Sequence, residues 1–151
     1  MAKETTDRAV RTLTEDGGFR VITAVTTQTV REALKRQEAS GHAVGLLGGL
    51  ITGAVLIREA MTPEQRVQIL IKSRAGRHLA VADAHPDGRN RGLLRAGADD
   101  ELSATAGPAG DSNGDSDNGA AHGALLEVIY TLPNGIIHQS MSALPADGDL
   151  S

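Results

Sequence analysis

The sequence contains no cysteine and no tryptophan, and its aromatic side chains are confined to Phe19 and Tyr130. Without cysteine, this chain has no disulfide, no thiol chemistry and no thiolate metal site. With so few aromatic rings, it offers essentially no platform on which bases or sugar rings could stack. The hydrophobic core must therefore be built from valine, isoleucine, leucine and alanine.

An excess of basic residues is also missing. Lysine and arginine number 15 against 19 aspartate and glutamate, which gives the 151-residue chain a formal net charge of −4. Nucleic-acid-binding proteins usually show a basic patch, so no nucleic-acid partner is predicted. The first residues lack the apolar stretch of a signal peptide, which predicts a cytoplasmic location. The uncharged run at 43–57 is shorter than the roughly 18 apolar residues of a membrane span, so no membrane contact is predicted.

The most apolar segment carries a glycine at every fourth position. Gly41, Gly45, Gly49 and Gly53 would therefore stack on one side of a helix. Each interior glycine costs roughly 1 kcal/mol relative to alanine, and close backbone approach usually offsets that cost. The other residues are apolar on every side, which is typical of a buried helix. We predict a helix at 41–60 through the centre of the domain, with a strand or second helix against its glycine face.

Capping residues, β-branched runs and turn signals predict the remaining elements. Helices are expected at 6–13 and 30–37. Strands are expected at 19–25, 66–72, 78–83, 91–95, 125–131 and 136–144, with an antiparallel meander over 66–95. Pro133, Asn134 and Gly135 form the turn of the last hairpin. The predicted fold class is α+β, with a largely antiparallel sheet packed on the buried glycine-striped helix, in one domain covering residues 1–151.

The acidic, turn-rich segment at 103–123 is predicted to be a flexible loop, because it cannot bury enough apolar surface to become ordered. Residues 111–119 resemble the first, third and fifth positions of a calcium-binding loop. Ser116 and His122 stand where such a loop needs glycine and a bidentate glutamate. We therefore expect an acidic loop here rather than a metal site.

Candidate catalytic residues are weak. His85 and Asp87 flank Pro86 and suggest acid–base chemistry, but a tight turn explains the same residues. No set of nucleophile, base and orienting group can be assembled, so no catalytic residue, metal or cofactor is predicted. A basic cluster is expected to be a solvated sheet edge, with an anion or acidic-partner site as the alternative. The cluster consists of Lys72, Arg74, Arg77, Arg89, Arg91 and Arg95.

Several segments, taken in order, resemble one known family. Residues 7–13 are similar to that family's opening helix, residues 46–50 to its buried helix and residues 67–69 to its next strand. Arg91-Gly92 is similar to an Arg-Gly pair that closes a hairpin, and 132–135 to the last hairpin. Val21 and Ser140 depart from glycines that are common in the family. The series resembles the N-terminal part of the redox-regulated 33 kDa chaperonin (heat shock protein 33) family.

The resemblance covers about 7–95 and 125–151, which is only the first half of the family pattern. The family's C-terminal zinc domain, with four cysteines, has no counterpart in this chain. The resemblance implies an ATP-independent holdase-type chaperone that binds unfolding proteins, here without the redox switch. No phosphate-binding G-x-x-x-x-G-K-[ST] motif is present, in agreement with ATP independence. A non-catalytic interaction module that keeps the fold is the alternative, and an enzyme acting through His85 and Asp87 is the third and weakest hypothesis.

The predicted partners are unfolded client proteins, together with self-association or a second chain that completes the core. The family pattern continues with elements that would cover the last hairpin, so one face of that hairpin is expected to lack a covering layer. Unpaired strand edges and apolar patches are association sites. The predicted client or partner surface consists of Leu126, Val128, Ile136 and Met141.

Overall fold

The computed structural model describes residues 6–144 apart from 38, 40, 74, 96 and 99–123. Strands and helices follow one another through this part of the chain, and the predicted α+β class is confirmed. The elements are β1 (Arg8–Leu13), β2 (Arg20–Val25), α1 (Thr27–Lys35), α2 (Gly41–Ala60), β3 (Arg66–Lys72), β4 (His78–Ala84), β5 (Asn90–Leu94), β6 (Leu125–Thr131) and β7 (Ile137–Ala143).

Five of the strands form an antiparallel sheet in the order β5-β4-β3-β6-β7, while β1 and β2 form a separate hairpin. The central strand β3 fixes the register of the sheet: Ile69 lies opposite Ala82 on β4 and Val128 on β6. The predicted meander and the predicted last hairpin are therefore both confirmed. The predicted loop at 103–123 lies outside the described residues.

The core is aliphatic, as the composition requires. Val67, Ile69 and Ile71 alternate along β3 and are almost completely buried. They belong to one cluster with Leu47 and Ile51 of α2. Alternation places them on the helix-facing side of the sheet, because successive side chains of a strand point to opposite faces. On β4 the same side carries three small buried residues, Ala80, Ala82 and Ala84, which lets α2 lie close to the sheet.

The glycine stripe of α2 does not provide close packing where it was predicted. A Cβ atom built at Gly41 or Gly45 would meet nothing within 4 Å, and one at Gly53 would make an ordinary contact of 3.7 Å with Ile69. The prediction that another element presses on this whole stripe is therefore wrong at Gly41 and Gly45. Spacing shows which residues share a helix face, but it does not show what lies against that face.

The close approach is instead made by a glycine of the sheet. A Cβ atom at Gly92 of β5 would lie 2.7 Å from Ile51 Cδ1 and 3.1 Å from Leu47 Cδ1. Real Cβ atoms do not come this close to their neighbours, so only glycine lets β5 pack on α2 without displacing the core. The tight contact predicted for the helix glycines is thus found between a strand glycine and two helix side chains.

The helix predicted at 6–13 is wrong, because this segment forms strand β1 and pairs with β2 from Arg8 opposite Val25 to Leu13 opposite Arg20. The capping signal at Asp7 is real, but it serves another helix. The Asp7 carboxylate accepts hydrogen bonds from the backbone N–H groups of Gln28 (2.9 Å) and Thr29 (2.7 Å), in the first turn of α1. A cap supplied by a distant residue explains why α1 begins earlier than predicted.

The long helix α2 lies between the five-stranded sheet and the β1–β2 hairpin. By length and composition alone, its 20 residues would qualify as a membrane span. In the fold, its face carrying Leu47, Leu50 and Ile51 is fully buried in the core, whereas Gly45 is exposed. The prediction of a helix through the centre of the domain is confirmed, but the helix is buried on one face rather than on every side.

Candidate functional site

Three exposed apolar side chains lie on the outer face of the β1–β2 hairpin, and we call them the hairpin stripe. Phe19 is 73% exposed, Val21 52% and Val10 43%. In the hairpin register Thr12 lies opposite Val21, so Val10, two residues before Thr12, shares the face of Val21. Thr14 N donates to Phe19 O (3.0 Å), which continues the pairing so that Phe19 extends the same face. The stripe therefore faces solvent.

The tip of the hairpin is held in shape by Asp16. Its carboxylate accepts hydrogen bonds from the Thr14 hydroxyl and from the backbone N–H of Gly18 at 3.0 Å. The Thr14 hydrogen bond is the main reason that the pKa of Asp16 lies below its ordinary value. Gly17 has φ of +70°, a conformation that side-chain-bearing residues rarely adopt. These contacts fix the turn next to Phe19.

The inner face of the hairpin is attached to α2 by ionic contacts. Arg11 Nη2 lies 2.5 Å from Glu59 Oε2, and Arg11 Nε donates to the same oxygen at 2.8 Å. Arg20 Nη2 also reaches the backbone oxygen of Ala60 at 3.4 Å. Arg11 and Arg20 thus attach the inner face of the hairpin to α2. The hairpin stripe lies on the opposite face and points to solvent.

Sequence reasoning missed the hairpin stripe, because residues 6–13 were predicted as a helix. A usable signal was present in the order of the residues. Gly17 and Gly18 separate a segment of alternating character from the β-branched segment that follows, and glycine between two such segments is typical of a hairpin turn.

The surface predicted on the last hairpin is divided by the structure. Leu126 and Val128 lie opposite Ile71 and Ile69 of β3. They therefore point to the helix-facing side of the sheet, where both are half-buried and pack against the core. The core cluster covers these two side chains only in part, and their role as a client or partner surface stays a prediction.

The other two residues of that predicted surface are open to solvent. Ile136 and Met141 are each 52% exposed. Met141 lies opposite Glu127, so it points away from α2 and shares no face with Leu126. The predicted residues thus do not form one patch, and the role of Ile136 and Met141 in binding stays a prediction.

Two members of the basic cluster are engaged in ion pairs and are not open to an anion. Lys72 Nζ lies 2.5 Å from Oε2 of the buried Glu127, whose other oxygen accepts a hydrogen bond from Gln139. Arg89 lies 2.6 Å from Asp87. Arg74 lies outside the described residues. These pairs favour the structural interpretation of the cluster over an anion site.

The residues considered for catalysis take part in ion pairs as well. Asp83 accepts two hydrogen bonds from Arg66, at 2.8 and 2.6 Å, and its Oδ2 lies 3.0 Å from His85 Nε2. Burial acts to raise the pKa of Asp83, but the hydrogen bond and charge of Arg66 outweigh it and hold the pKa below its ordinary value. The hydrogen bond from Arg89 lowers the pKa of Asp87 to about 2. Both carboxylates are therefore ionised and paired near neutral pH.

No group of three or more histidine, cysteine, aspartate and glutamate side chains that could hold a metal occurs among the described residues. The calcium-like segment at 111–119 lies outside them, so the structure does not test that alternative. Among the described residues, the hairpin stripe is an apolar feature exposed to solvent, whereas the polar residues considered for catalysis are held in ion pairs.

Comparison with known proteins identifies the same fold in chaperonins. The chain is similar to the 33 kDa chaperonin of Geobacter sulfurreducens, with 31% identity over 90 residues, which is 60% of this chain and 30% of the relative. It is similar to the 33 kDa chaperonin of Microcystis aeruginosa, with 34% identity over 89 residues, 58% of this chain and 29% of the relative. These matched segments therefore cover less than a third of each relative.

The crystal structure of the 33 kDa chaperonin (heat shock protein 33 homolog) from Thermotoga maritima superposes with a TM-score of 0.64. The match covers 93% of this chain and 46% of that chain, at 20% sequence identity, and it shows a shared fold. The family model described as Hsp33 protein matches residues 7–147, which include every element described above. The chain therefore belongs to the Hsp33 protein family.

Proposed function

We propose that this chain is an ATP-independent holdase-type chaperone, which binds unfolding proteins through exposed apolar side chains. Membership of the Hsp33 family and the name chaperonin given to its relatives support a chaperone role. The hairpin stripe is the feature of this chain that supports the proposal, because adjoining exposed apolar side chains mark sites of protein interaction. The proposal includes no catalytic step and no cofactor, and it places the protein in the cytoplasm.

The proposed activity of this chain does not depend on thiol oxidation. The chain contains no cysteine, so an oxidant has no thiol here on which to act. A chaperone built on the hairpin stripe would hold clients equally well under reducing and oxidising conditions. A peroxide-dependent gain in activity of this chain alone would contradict this part of the proposal.

Self-association through the last strand is part of the same proposal. Strand β7 lies at the edge of the sheet, is exposed along its whole length and has the sequence IHQSMSA, which contains no lysine, acid or proline. Natural edge strands usually carry such residues as protection against pairing with another chain. An unprotected edge of this kind fits a second copy or another chain that adds a strand beside β7.

Suppression of client aggregation without ATP tests the function. Light scattering of a heat-unfolded client would be followed with increasing amounts of wild-type chain and of a variant that combines Val10→Thr, Phe19→Thr and Val21→Thr. Threonine keeps a strand-forming side chain but removes apolar surface. Burying one such apolar side chain contributes about 1.5–3 kcal/mol, and about 1.4 kcal/mol is a tenfold change in affinity, so the triple variant should need at least roughly tenfold more protein.

The matched control is Leu13→Thr, which removes an exposed apolar side chain from the opposite face of the same hairpin. This control should suppress aggregation as well as the wild type. If the folded wild-type chain fails to suppress aggregation at any ratio, the holdase proposal is wrong and the interaction-module alternative gains support. If the hairpin variant is as active as the wild type, clients bind elsewhere on the chain.

A further inference from the structure

A cleft of about 790 Å³ opens between helix α1 and the outer edge of strand β5. Residues of α1, including Thr29, Ala33 and Arg36, form one wall, and Asn90 and Gly92 of β5 form the other. Strand β5 is the terminal strand of the five-stranded sheet, and among the described residues no strand pairs with its outer edge. The cleft thus lies along an unpaired edge of the sheet.

At one end of the cleft, a side-chain amide occupies the position that a neighbouring strand would take. Gln37 Nε2 donates to the backbone oxygen of Gly92 at 3.0 Å, and the backbone N–H of Leu94 donates to Gln37 Oε1 at 3.0 Å. A primary amide has the same donor and acceptor as a peptide group. The Gln37 amide therefore makes the two hydrogen bonds with β5 that a peptide group of an added strand would make.

The backbone groups further along this edge face the cleft. His85 N donates to Arg89 O and Arg95 N donates to Leu79 O, each at 2.9 Å, so the odd-numbered residues of this segment point toward β4. The backbone groups of Asn90 and Gly92 consequently point away from β4, because hydrogen-bonding directions alternate along a strand. Gln37 satisfies the oxygen of Gly92, and the described structure gives no protein partner for the N–H of Gly92 or the backbone oxygen of Asn90.

We propose that this cleft binds an extended segment of an unfolding protein as an additional strand on β5. The inference rests on the proposed holdase function, which brings unfolded chains to the protein. In strand addition, backbone hydrogen bonds provide affinity while side chains at alternate positions tune it. Gly88, Gly92 and Ala33 leave space in a cleft whose remaining lining is polar, so the backbone of a peptide can approach the edge of β5. Such a site recognises the peptide backbone and suits a protein whose clients share no sequence.

Helix α1 explains why this edge accepts a single strand rather than a whole sheet. Glu32 and Arg36 project from α1 along the cleft, so α1 stands beside the edge that another sheet would have to approach. A flexible extended segment fits between α1 and β5, whereas a folded sheet edge would meet the helix. This arrangement protects the edge from general edge-to-edge pairing and leaves it available to unfolded chains.

Fluorescence anisotropy with a labelled peptide of alternating threonine and valine tests the inference on the full chain. The first comparison is between two peptides that bind the wild-type chain. One is the unmodified peptide, and the other is N-methylated at every second amide, on the side that would pair with β5. Loss of these backbone donors should weaken binding by roughly fivefold or more, since each hydrogen bond contributes only modestly to affinity. Equal binding of the two peptides would overturn the inference.

The second comparison changes the edge itself. Asn90→Pro removes an N–H that points away from β4, and proline is tolerated at such positions of edge strands. Asn90→Ala is the matched control, because it removes only the side-chain amide that donates to Gly88 O. The proline variant should bind the peptide at least about fivefold more weakly than the alanine variant. Equal affinities, with both variants folded by circular dichroism, would overturn the inference.

Aggregation assays on the same proteins separate this inference from the proposed function. If the wild-type chain suppresses aggregation but the peptide does not bind, strand addition on β5 is wrong while the holdase proposal stands. If the peptide binds in the predicted pattern but aggregation is not suppressed, the strand-addition site stands and the holdase proposal fails.

Discussion

Gly92 is the position at which the absence of a side chain matters most for the core. A Cβ atom there would overlap Ile51 and crowd Leu47, two fully buried residues of α2. We predict that Gly92→Ala lowers the free energy of unfolding by about 1–3 kcal/mol, as overpacking of a dense core does. Gly45→Ala should instead raise it by up to about 1 kcal/mol, because Gly45 is an exposed helix position with open space around it. Urea unfolding of both variants measures these changes, and shifts of equal sign would contradict the account.

The contribution of Asp83 to the free energy of unfolding depends on pH. Arg66 holds the pKa of Asp83 below its ordinary value of 3.8, so the folded protein binds this proton less tightly than the unfolded chain does. The contribution of the carboxylate is therefore complete above that ordinary value and is lost as the pH falls through the lower folded value. We predict that Asp83→Asn destabilises the protein near neutral pH and has a smaller effect near about pH 3. Urea unfolding at the two pH values is the measurement, and an equal effect at both would show that the charge is unimportant.

At the scale of elements, the N-terminus of helix α1 is capped by a residue that lies before the β1–β2 hairpin. Asp7 caps α1 through the N–H groups of Gln28 and Thr29, and these hydrogen bonds hold the pKa of Asp7 low although burial acts to raise it. We predict that Asp7→Ala costs about 1 kcal/mol of stability, the usual value for a lost helix cap. Glu15→Ala, a change of another exposed acidic residue, should cost little. Equal midpoints of urea unfolding for Asp7→Ala and Glu15→Ala would contradict the claim that Asp7 stabilises α1 as a cap.

The sequence predicts the elements whose structure is decided locally. Helix α2 and strands β3, β4 and β6 follow from apolar patterns and flanking turns, and the structure confirms them. Strand β1 could not be found in this way, because it becomes a strand only by pairing with β2, and its Asp7 looks like a local cap. The division of the predicted partner surface between two faces has a related reason. The apolar character of Leu126 and Val128 is visible in the sequence, but the side of the sheet they face depends on the register with β3.

At the scale of the whole molecule, the uncharged edge strand β7 predicts self-association. Ser140 lies at the middle of β7 and is exposed. We predict that Ser140→Lys shifts the chain toward a monomer, because a charge at the centre of an edge strand opposes pairing with a second strand. Light scattering over a dilution series measures the mass of wild type and variant. A wild-type chain that is monomeric at every concentration would contradict self-association through this edge.

The account rests above all on the claim that the hairpin stripe holds unfolding clients. Photo-crosslinking tests this claim directly, with a benzophenone amino acid placed at Val21 in one protein and at Ala75, in the exposed turn between β3 and β4, in another. The two proteins would be mixed with a client, heated and irradiated without ATP. The account predicts client adducts from position 21 that appear only when the client unfolds, and few from position 75. Equal adducts from both positions, or none from position 21 while aggregation is suppressed, would contradict it.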